Sequence, residues 1–113
     1  MHKDDLVRIH HMLDAAREAR SFIGHQTRSA LESNRMLVLS LIRSIEVIGE
    51  AAAQTTKEYQ HAHPEIPWPQ IIAMRNRLIH AYFDVDLDRL WNTVADELPP
   101  LIATLEQLVS PKS

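Results

Sequence analysis

The sequence predicts an all-α fold, an antiparallel four-helix bundle. Only two of the 113 residues are glycine and only 5% are aromatic. Apolar residues recur at the three- and four-residue spacing of amphipathic helices, whereas sandwiches and barrels need more turn-forming and β-forming residues. The length suits one compact domain, residues 1–113.

The first predicted helix covers residues 4–24, with Asp4 or Asp5 suited to its N-cap and Gly24 to its end. The second covers residues 29–60 and carries an apolar stripe broad enough to contact more than one neighbour. Gly49 lies inside this helix without a turn context. Because glycine destabilises a helix interior, we expect close packing against another element there.

Three prolines in residues 64–69 predict a rigid break between the second and third helices. A short third helix is predicted over residues 68–81, and a fourth over residues 87–108. Asp86 is the expected N-cap of the fourth helix, which Pro99 and Pro100 should kink.

The charge balance excludes a broadly basic nucleic-acid-binding protein, since the formal net charge is -3. Any contact with RNA must therefore come from a local cluster of arginines. The absence of cysteine excludes a disulfide scaffold and thiolate chemistry. The N-terminal residues do not form a signal-peptide pattern, and the apolar stretches are far shorter than the roughly 20 residues that span a bilayer. We expect a cytoplasmic protein without membrane contact.

Metal-binding patterns are weak. His61 and His63 with Glu65 lie in the proline-rich turn, with no evident further ligand. The carboxylates at the start of the fourth helix suit capping and the helix dipole. We therefore expect neither a metal nor another cofactor.

The densest group of polar side chains lies in residues 75–82, Arg-Asn-Arg-Leu-Ile-His-Ala-Tyr. On a continuous helix Asn76 and His80 lie one turn apart, but Arg75 and His80 are separated by about 140° around the axis. Arg75 and His80 then meet only through the length of Arg75, a distorted helix end or a second subunit. In the plainest interpretation, these side chains are merely solvated or complement the helix dipole.

This segment, Arg75-x4-His80-x-Tyr82, resembles the Arg-x4-His-x-Tyr motif of HepT-like toxins in the HEPN superfamily. Two further stretches are similar to the same family, Ile-Gly-Glu-Ala-Ala at residues 48–52 and His-Pro-Glu-Ile-Pro-Trp at residues 63–68. The resemblance covers residues 37–105 and implies a homodimeric helical bundle of HEPN type. In such proteins the motifs of two subunits meet in a cleft at the dimer interface.

The resemblance also implies a metal-independent RNA endonuclease that leaves a 2′,3′-cyclic phosphate and a 5′-hydroxyl. By this resemblance His80 is the acid–base residue, and Arg75 stabilises the scissile phosphate. Asn76 is expected to orient the phosphate or His80, and Arg77 to bind the RNA backbone. Glu50, in the Gly-Glu-Ala block, is expected to line the cleft or hold an arginine.

HepT toxins are typically encoded beside an MntA-type minimal nucleotidyltransferase antitoxin, which transfers AMP to the tyrosine of the motif, here Tyr82. A bulky anionic group beside His80 would block the cleft and repel an RNA phosphate. The resemblance therefore implies the toxin of a toxin–antitoxin system, with transfer RNA or messenger RNA as substrate. One alternative is a non-catalytic helical adaptor that presents substrate to a nucleotidyltransferase. Another is a dimeric bundle whose arginines form only salt bridges.

Overall fold

The computed structural model describes residues 3–81 and 84–110. Within these ranges the helices are α1 (Lys3–Ile23), α2 (Ala30–Ser33), α3 (Arg35–Gln54), α4 (Lys57–Ala62), α5 (Trp68–Ile72), α6 (Leu87–Asn92) and α7 (Leu98–Val109). A 3-10 turn, Arg75–Arg77, follows α5, and a π-helical turn, Thr93–Glu97, joins α6 to α7. Strands β1 (Ile79–Ala81) and β2 (Asp84–Val85) pair antiparallel, with Ile79 opposite Val85 and Ala81 opposite Asp84.

Helix α1 packs against both α3 and α7, and α3 also packs against α5. Asp5, near the start of α1, is hydrogen-bonded to Thr56, just beyond the end of α3. Arg20, near the end of α1, donates to the carbonyl of Val94, early in the last helical run. Helix α1 is therefore antiparallel to α3, and the predicted all-α class is confirmed.

Aliphatic side chains from the facing sides of these helices form one continuous core. Each such side chain removed from water contributes roughly 1.5–3 kcal/mol of stabilisation. Those with 1% exposure or less include Ile9, Met12 and Leu13 of α1, Leu41, Ile45 and Ile48 of α3, and Leu90, Val94, Leu98 and Leu105 of the last helical run.

The first predicted helix is confirmed as α1. Gly24 follows it with a φ of 45°, a left-handed conformation that glycine adopts without steric cost. Asp4 and Asp5 lie in the first turn of α1 rather than at the N-cap, since the helix already begins at Lys3. Asp5 instead directs its carboxylate to Thr56.

The prediction of one continuous helix over residues 29–60 is wrong. Asn34 has an extended backbone and caps α3, because its side chain accepts a hydrogen bond from the N–H of Leu37 at 3.0 Å. A second break precedes α4, where the hydroxyl of Thr56 accepts from the N–H of Tyr59 at 3.2 Å. Asn and Thr side chains compete for backbone N–H groups and so favour caps over helix interiors.

The predicted third helix is wrong beyond Ile72, where α5 ends. The 3-10 turn follows, and Ile79–Ala81 is a strand instead of a helical turn. Residues 79–85 include two β-branched and two aromatic residues, Ile, Tyr, Phe and Val, which are enriched in strands. These residues favour a strand, whereas the helical spacing of the preceding apolar residues led to the prediction of a helix over residues 68–81.

The irregularity in the fourth predicted helix lies earlier than expected. Asp86 caps α6 as predicted, accepting a hydrogen bond from the N–H of Arg89 at 3.0 Å. Pro99 and Pro100 lie in the first turn of α7, directly after the π-helical turn. Because proline has no N–H to donate to the preceding turn, the wider π-helical turn accommodates the missing hydrogen bonds.

The Asp5 carboxylate should contribute to stability by joining α1 to the break between α3 and α4. Asp5 is 2% exposed and accepts from the N–H and the hydroxyl of Thr56, at 2.9 and 2.7 Å. Asp5→Ala leaves both donors unpaired, so we expect the free energy of unfolding in urea to fall by about 1–3 kcal/mol. The exposed neighbour Asp4 is the control, and Asp4→Ala should cost less than about 1 kcal/mol. Equal losses in the two variants would contradict this role for Asp5.

Candidate functional site

The candidate site is built on the short segment that follows α5. Ile71, Met74 and Leu78 are at most 4% exposed and anchor this segment in the core. The N–H of Leu78 donates to the carbonyl of Arg75 at 3.0 Å, closing the 3-10 turn. Because the buried residues flank the turn, Arg75 and Asn76 are turned outward, and both are exposed.

Gly49 determines how closely this segment approaches α3. A Cβ atom at Gly49 would lie 3.4 Å from the carbonyl oxygen of Ile71 and 3.5 Å from that of Ile72. These distances are at the edge of ordinary van der Waals contact, so the backbone at the end of α5 rests directly on α3. The predicted close packing at Gly49 is confirmed.

An ion pair joins α3 to the segment after α5. The Nε–H of Arg75 donates to Oε2 of Glu46 at 2.5 Å. The side chain of Glu46 is 28% exposed and that of Arg75 is 49% exposed, so solvent screens the pair only in part. Short charge-assisted hydrogen bonds of this kind are stronger than neutral ones and fix the plane of the guanidinium group.

Arg75 and Asn76 form one wall of an open groove of about 330 Å³. The other lining residues are Ile72 of α5 and Arg43, Glu46, Gly49, Glu50 and Ala53 of α3. The groove thus carries two arginines and two glutamates that alternate in sign. Arginine's planar fork is well shaped to bind phosphate, so this groove has the groups to contact an anionic strand.

The two glutamates of the groove have different partners. Oε1 of Glu50 accepts from Nη1 of Arg43 at 3.3 Å, and the same nitrogen lies 3.8 Å from Oε1 of Glu46. Glu50 therefore lines the groove but pairs with Arg43, whereas Glu46 holds Arg75. Glu46 is not among the predicted site residues. Glu46 lies one helical turn before Glu50, and this spacing was the only sequence signal for it. The spacing alone does not show which of the two glutamates faces Arg75.

Arg77 makes a contact that stabilises the end of α5. Its Nη2 donates to the carbonyl of Gln70 at 3.1 Å, which satisfies one of the last carbonyls of that helix. Its Nε is buried and has no hydrogen-bond partner within the described part of the chain. The described lining of the groove does not include Arg77.

His80 lies on β1, where the structure describes its backbone, while its side chain and the whole of Tyr82 lie outside what is described. Between Arg75 and His80 the chain passes through a 3-10 turn into a strand. The expected relation of Asn76 and His80 on one helical face is therefore wrong, as is the 140° separation of Arg75 from His80. The backbone leaves the α-helix before Arg75, at the end of α5.

In residues 3–81 and 84–110, no three of the His, Asp or Glu side chains that the structure describes cluster so that they could hold a metal ion. The ring of His63 packs on Tyr59, with centroids 4.3 Å apart, and its Nδ1 lies 3.4 Å from Oε2 of Glu65. Over the same described ranges, no helix has both the length and the apolar character needed to cross a membrane.

Helices packed around one core, with an Arg-Asn-Arg turn beside a charged groove directly before the strand bearing His80, define an all-helical protein with a groove suited to anions. Comparison with known families makes the assignment specific. The family described as "Ribonuclease HepT-like" matches residues 12–108. The chain belongs to this family of HepT-like ribonucleases.

Curated relatives carry ribonuclease names. A Thermococcus cleftensis protein named "Probable ribonuclease HepT" is 45% identical over 69 residues, 61% of this chain and 63% of the relative. Two further examples have names that begin "Putative RNase". The one from Caldanaerobacter subterraneus is 36% identical over 66% of each chain. The other, from Methanocaldococcus jannaschii, is 29% identical over 87% of this chain and 90% of the relative. The chain matches slightly under two thirds of the length of the first two relatives. No solved structure matches the chain.

The space at Gly49 predicts a sharp dependence on side-chain size. Gly49→Ala places its Cβ at the contact distances given above and gains about 1 kcal/mol of helix propensity, so we expect stability equal to or above that of wild type. Gly49→Leu adds three carbon atoms beyond a Cβ that already contacts the carbonyls of Ile71 and Ile72, and we expect a loss of about 1–3 kcal/mol. Urea unfolding measures both variants. Similar stabilities for the two variants would contradict the close approach.

Proposed function

We propose that this chain is a metal-independent endoribonuclease whose catalytic groove lies between α3 and the segment after α5. The observation that carries this proposal is the placement of Arg75, which Glu46 holds at the wall of an open groove beside Asn76, shortly before His80 on β1. Membership of the HepT-like family and the names of the curated relatives support RNA as the substrate class.

The proposed reaction is an internal transesterification of RNA. The 2′-oxygen attacks the adjacent phosphorus as it loses its proton, and the bond from phosphorus to the 5′-oxygen breaks as that oxygen gains a proton. The products are a 2′,3′-cyclic phosphate and a 5′-hydroxyl. His80 moves the protons, and Arg75 stabilises the charge that develops on the phosphorane oxygens.

Three further residues have supporting roles in this proposal. The amide of Asn76 lies on the groove wall next to Arg75 and orients the phosphate. Glu50 restrains Arg43 at the opposite wall. Arg77 acts first through its contact with the end of α5, which keeps the Arg-Asn-Arg turn in place. Because the groove alternates in charge, we expect selective binding of a transfer RNA or messenger RNA rather than tight binding of any polyanion.

We also propose that the active form is a homodimer. The reaction needs both an acid and a base, whereas one motif supplies one histidine. Met36 and Leu39 of α3 are 79% and 50% exposed. Their spacing with Arg43 puts all three on the helix face that leads into the groove. Exposed apolar side chains beside a polar site are typical of a protein–protein interface, and a second copy here would bring two grooves together.

The biological role that follows is the toxin of a toxin–antitoxin system, restrained by an MntA-type nucleotidyltransferase. That enzyme would transfer AMP to Tyr82, two residues after His80. The added phosphate carries negative charge, and the added nucleoside occupies space, so the adduct both repels an RNA phosphate and obstructs the groove.

Cleavage of total transfer RNA and of a defined messenger RNA in EDTA tests the proposed activity. We expect His80→Ala to lower the rate by about 10²–10⁴-fold, the usual contribution of a general acid or base. Arg75→Ala should lower it by about 10²–10³-fold through loss of charge stabilisation. Arg17 is the matched control. It is 51% exposed and paired with Glu106 on α7, away from the groove, so Arg17→Ala should leave the rate unchanged.

End-group analysis should find cyclic phosphates in the products of wild type and of Arg17→Ala. If His80→Ala and wild type behave identically, with wild type folded, dimeric and unmodified at Tyr82, the ribonuclease proposal is wrong. That result would favour the non-catalytic adaptor.

The exposed face of α3 gives a separate test of the dimer. We expect the double variant Met36→Lys, Leu39→Lys to sediment as a monomer at micromolar concentration and to lose cleavage activity, because charge replaces apolar contact area. Phe22→Lys alters a 39% exposed apolar residue of α1 and should remain dimeric. A double variant that remains dimeric, or a fully active monomer, would contradict the proposed interface.

A further inference from the structure

We infer that Glu46 is a positioning residue of the ribonuclease site, which holds the guanidinium group of Arg75 in the orientation that meets the RNA phosphate. The inference rests on the proposed function. It assigns a role to a side chain of α3, outside the segment that bears the motif.

The geometry determines which edge of Arg75 faces the groove. A guanidinium group carries five N–H donors in one plane, one on Nε and two on each terminal nitrogen. Oε2 of Glu46 accepts the Nε–H at 2.5 Å, and the described part of the chain shows no further partner for this side chain. The edge formed by the two terminal nitrogens is therefore the edge available for a bidentate phosphate contact.

Preorganisation is the benefit of this contact. An exposed arginine samples many rotamers, and it must lose that freedom when it binds a phosphate. Arg75 already has a fixed Nε, so its remaining donors are aimed before the substrate arrives. Donors that need no rearrangement stabilise developing charge most effectively.

The negative charge of Glu46 is shared between two arginines. Nη1 of Arg43 lies 3.8 Å from the second oxygen of the same carboxylate. Two guanidinium groups thus flank the Glu46 carboxylate, and Glu50 brings the formal charge of the four groups to zero. Arg43 itself is paired with Glu50 at 3.3 Å and is 67% exposed, so that pair is weak and readily exchanged for a phosphate.

A purely structural role for the ion pair is less consistent with the surroundings. The turn that bears Arg75 is held by the buried side chains of Met74 and Leu78 and by its own backbone hydrogen bonds. Partly exposed ion pairs contribute little to stability. Removal of Glu46 should therefore leave the fold intact while it frees Arg75.

Steady-state kinetics on a defined RNA test the inference. We expect Glu46→Ala to lower kcat by about 10–100-fold, the scale of a small misplacement of a catalytic group. KM should stay unchanged or fall, because an anion has left the groove while phosphate binding remains possible. Glu46→Gln retains an acceptor oxygen and should have an intermediate kcat. A structural role would instead lower the folded fraction, which circular dichroism measures in the same samples.

A double-mutant cycle tests whether Glu46 acts through Arg75. The variant Glu46→Ala, Arg75→Ala should be no slower than Arg75→Ala alone, since Glu46 has nothing to position once Arg75 is gone. Glu106→Ala removes a pair of similar length, 2.6 Å, outside the groove and should match wild type. A further loss in the double variant would overturn the positioning role.

The remaining outcomes separate this inference from the proposed function. If Arg75→Ala is slow but Glu46→Ala matches wild type, the inference is wrong and the ribonuclease proposal stands. A Glu46→Ala variant faster than wild type would also overturn the inference, because Glu46 would then restrain Arg75. If wild type and Arg75→Ala cleave equally, the proposed function fails and the inference fails with it.

Discussion

The close approach of the α5 backbone to Gly49 is the constraint on which the candidate site depends. Because Gly49 has no side chain, the carbonyls of Ile71 and Ile72 rest directly on α3. Glu46 lies one helical turn earlier on the same face, so this approach brings Arg75 within hydrogen-bonding distance of it. A side chain larger than alanine at position 49 would press on these carbonyls, and we expect it to weaken the ion pair between the two walls of the groove.

The same packing also arranges the arginines and glutamates of the groove, in a protein whose formal net charge is -3. Arg75 is held by a short, partly buried pair, whereas Arg43 is held by a longer and more exposed one. Solvent-exposed pairs of the second kind are exchanged at little cost. One arginine is therefore held more firmly than the other, and in the proposed ribonuclease we expect the glutamates to weaken unselective binding of polyanions.

Much of the fold could be predicted from apolar spacing, because long amphipathic helices such as α1 and α7 are determined mainly by burial. The breaks at Asn34 and Thr56 were harder to predict from the sequence. Both side chains can lie on a helix surface, and tertiary contacts decide whether they cap a helix instead. The sequence also located Arg75 and Asn76, but not Glu46. Glu46 and Glu50 are equivalent in spacing along α3, and only the position of α5 distinguishes them.

The replacement of the last helical turn by a strand changes the reason for expecting a second subunit. Residues 75–77 form a 3-10 turn and His80 lies on β1, so the helical angle between Arg75 and His80 no longer applies. In the proposed ribonuclease a second copy is needed for proton transfer instead, because that reaction requires an acid and a base and a dimer would supply two copies of His80.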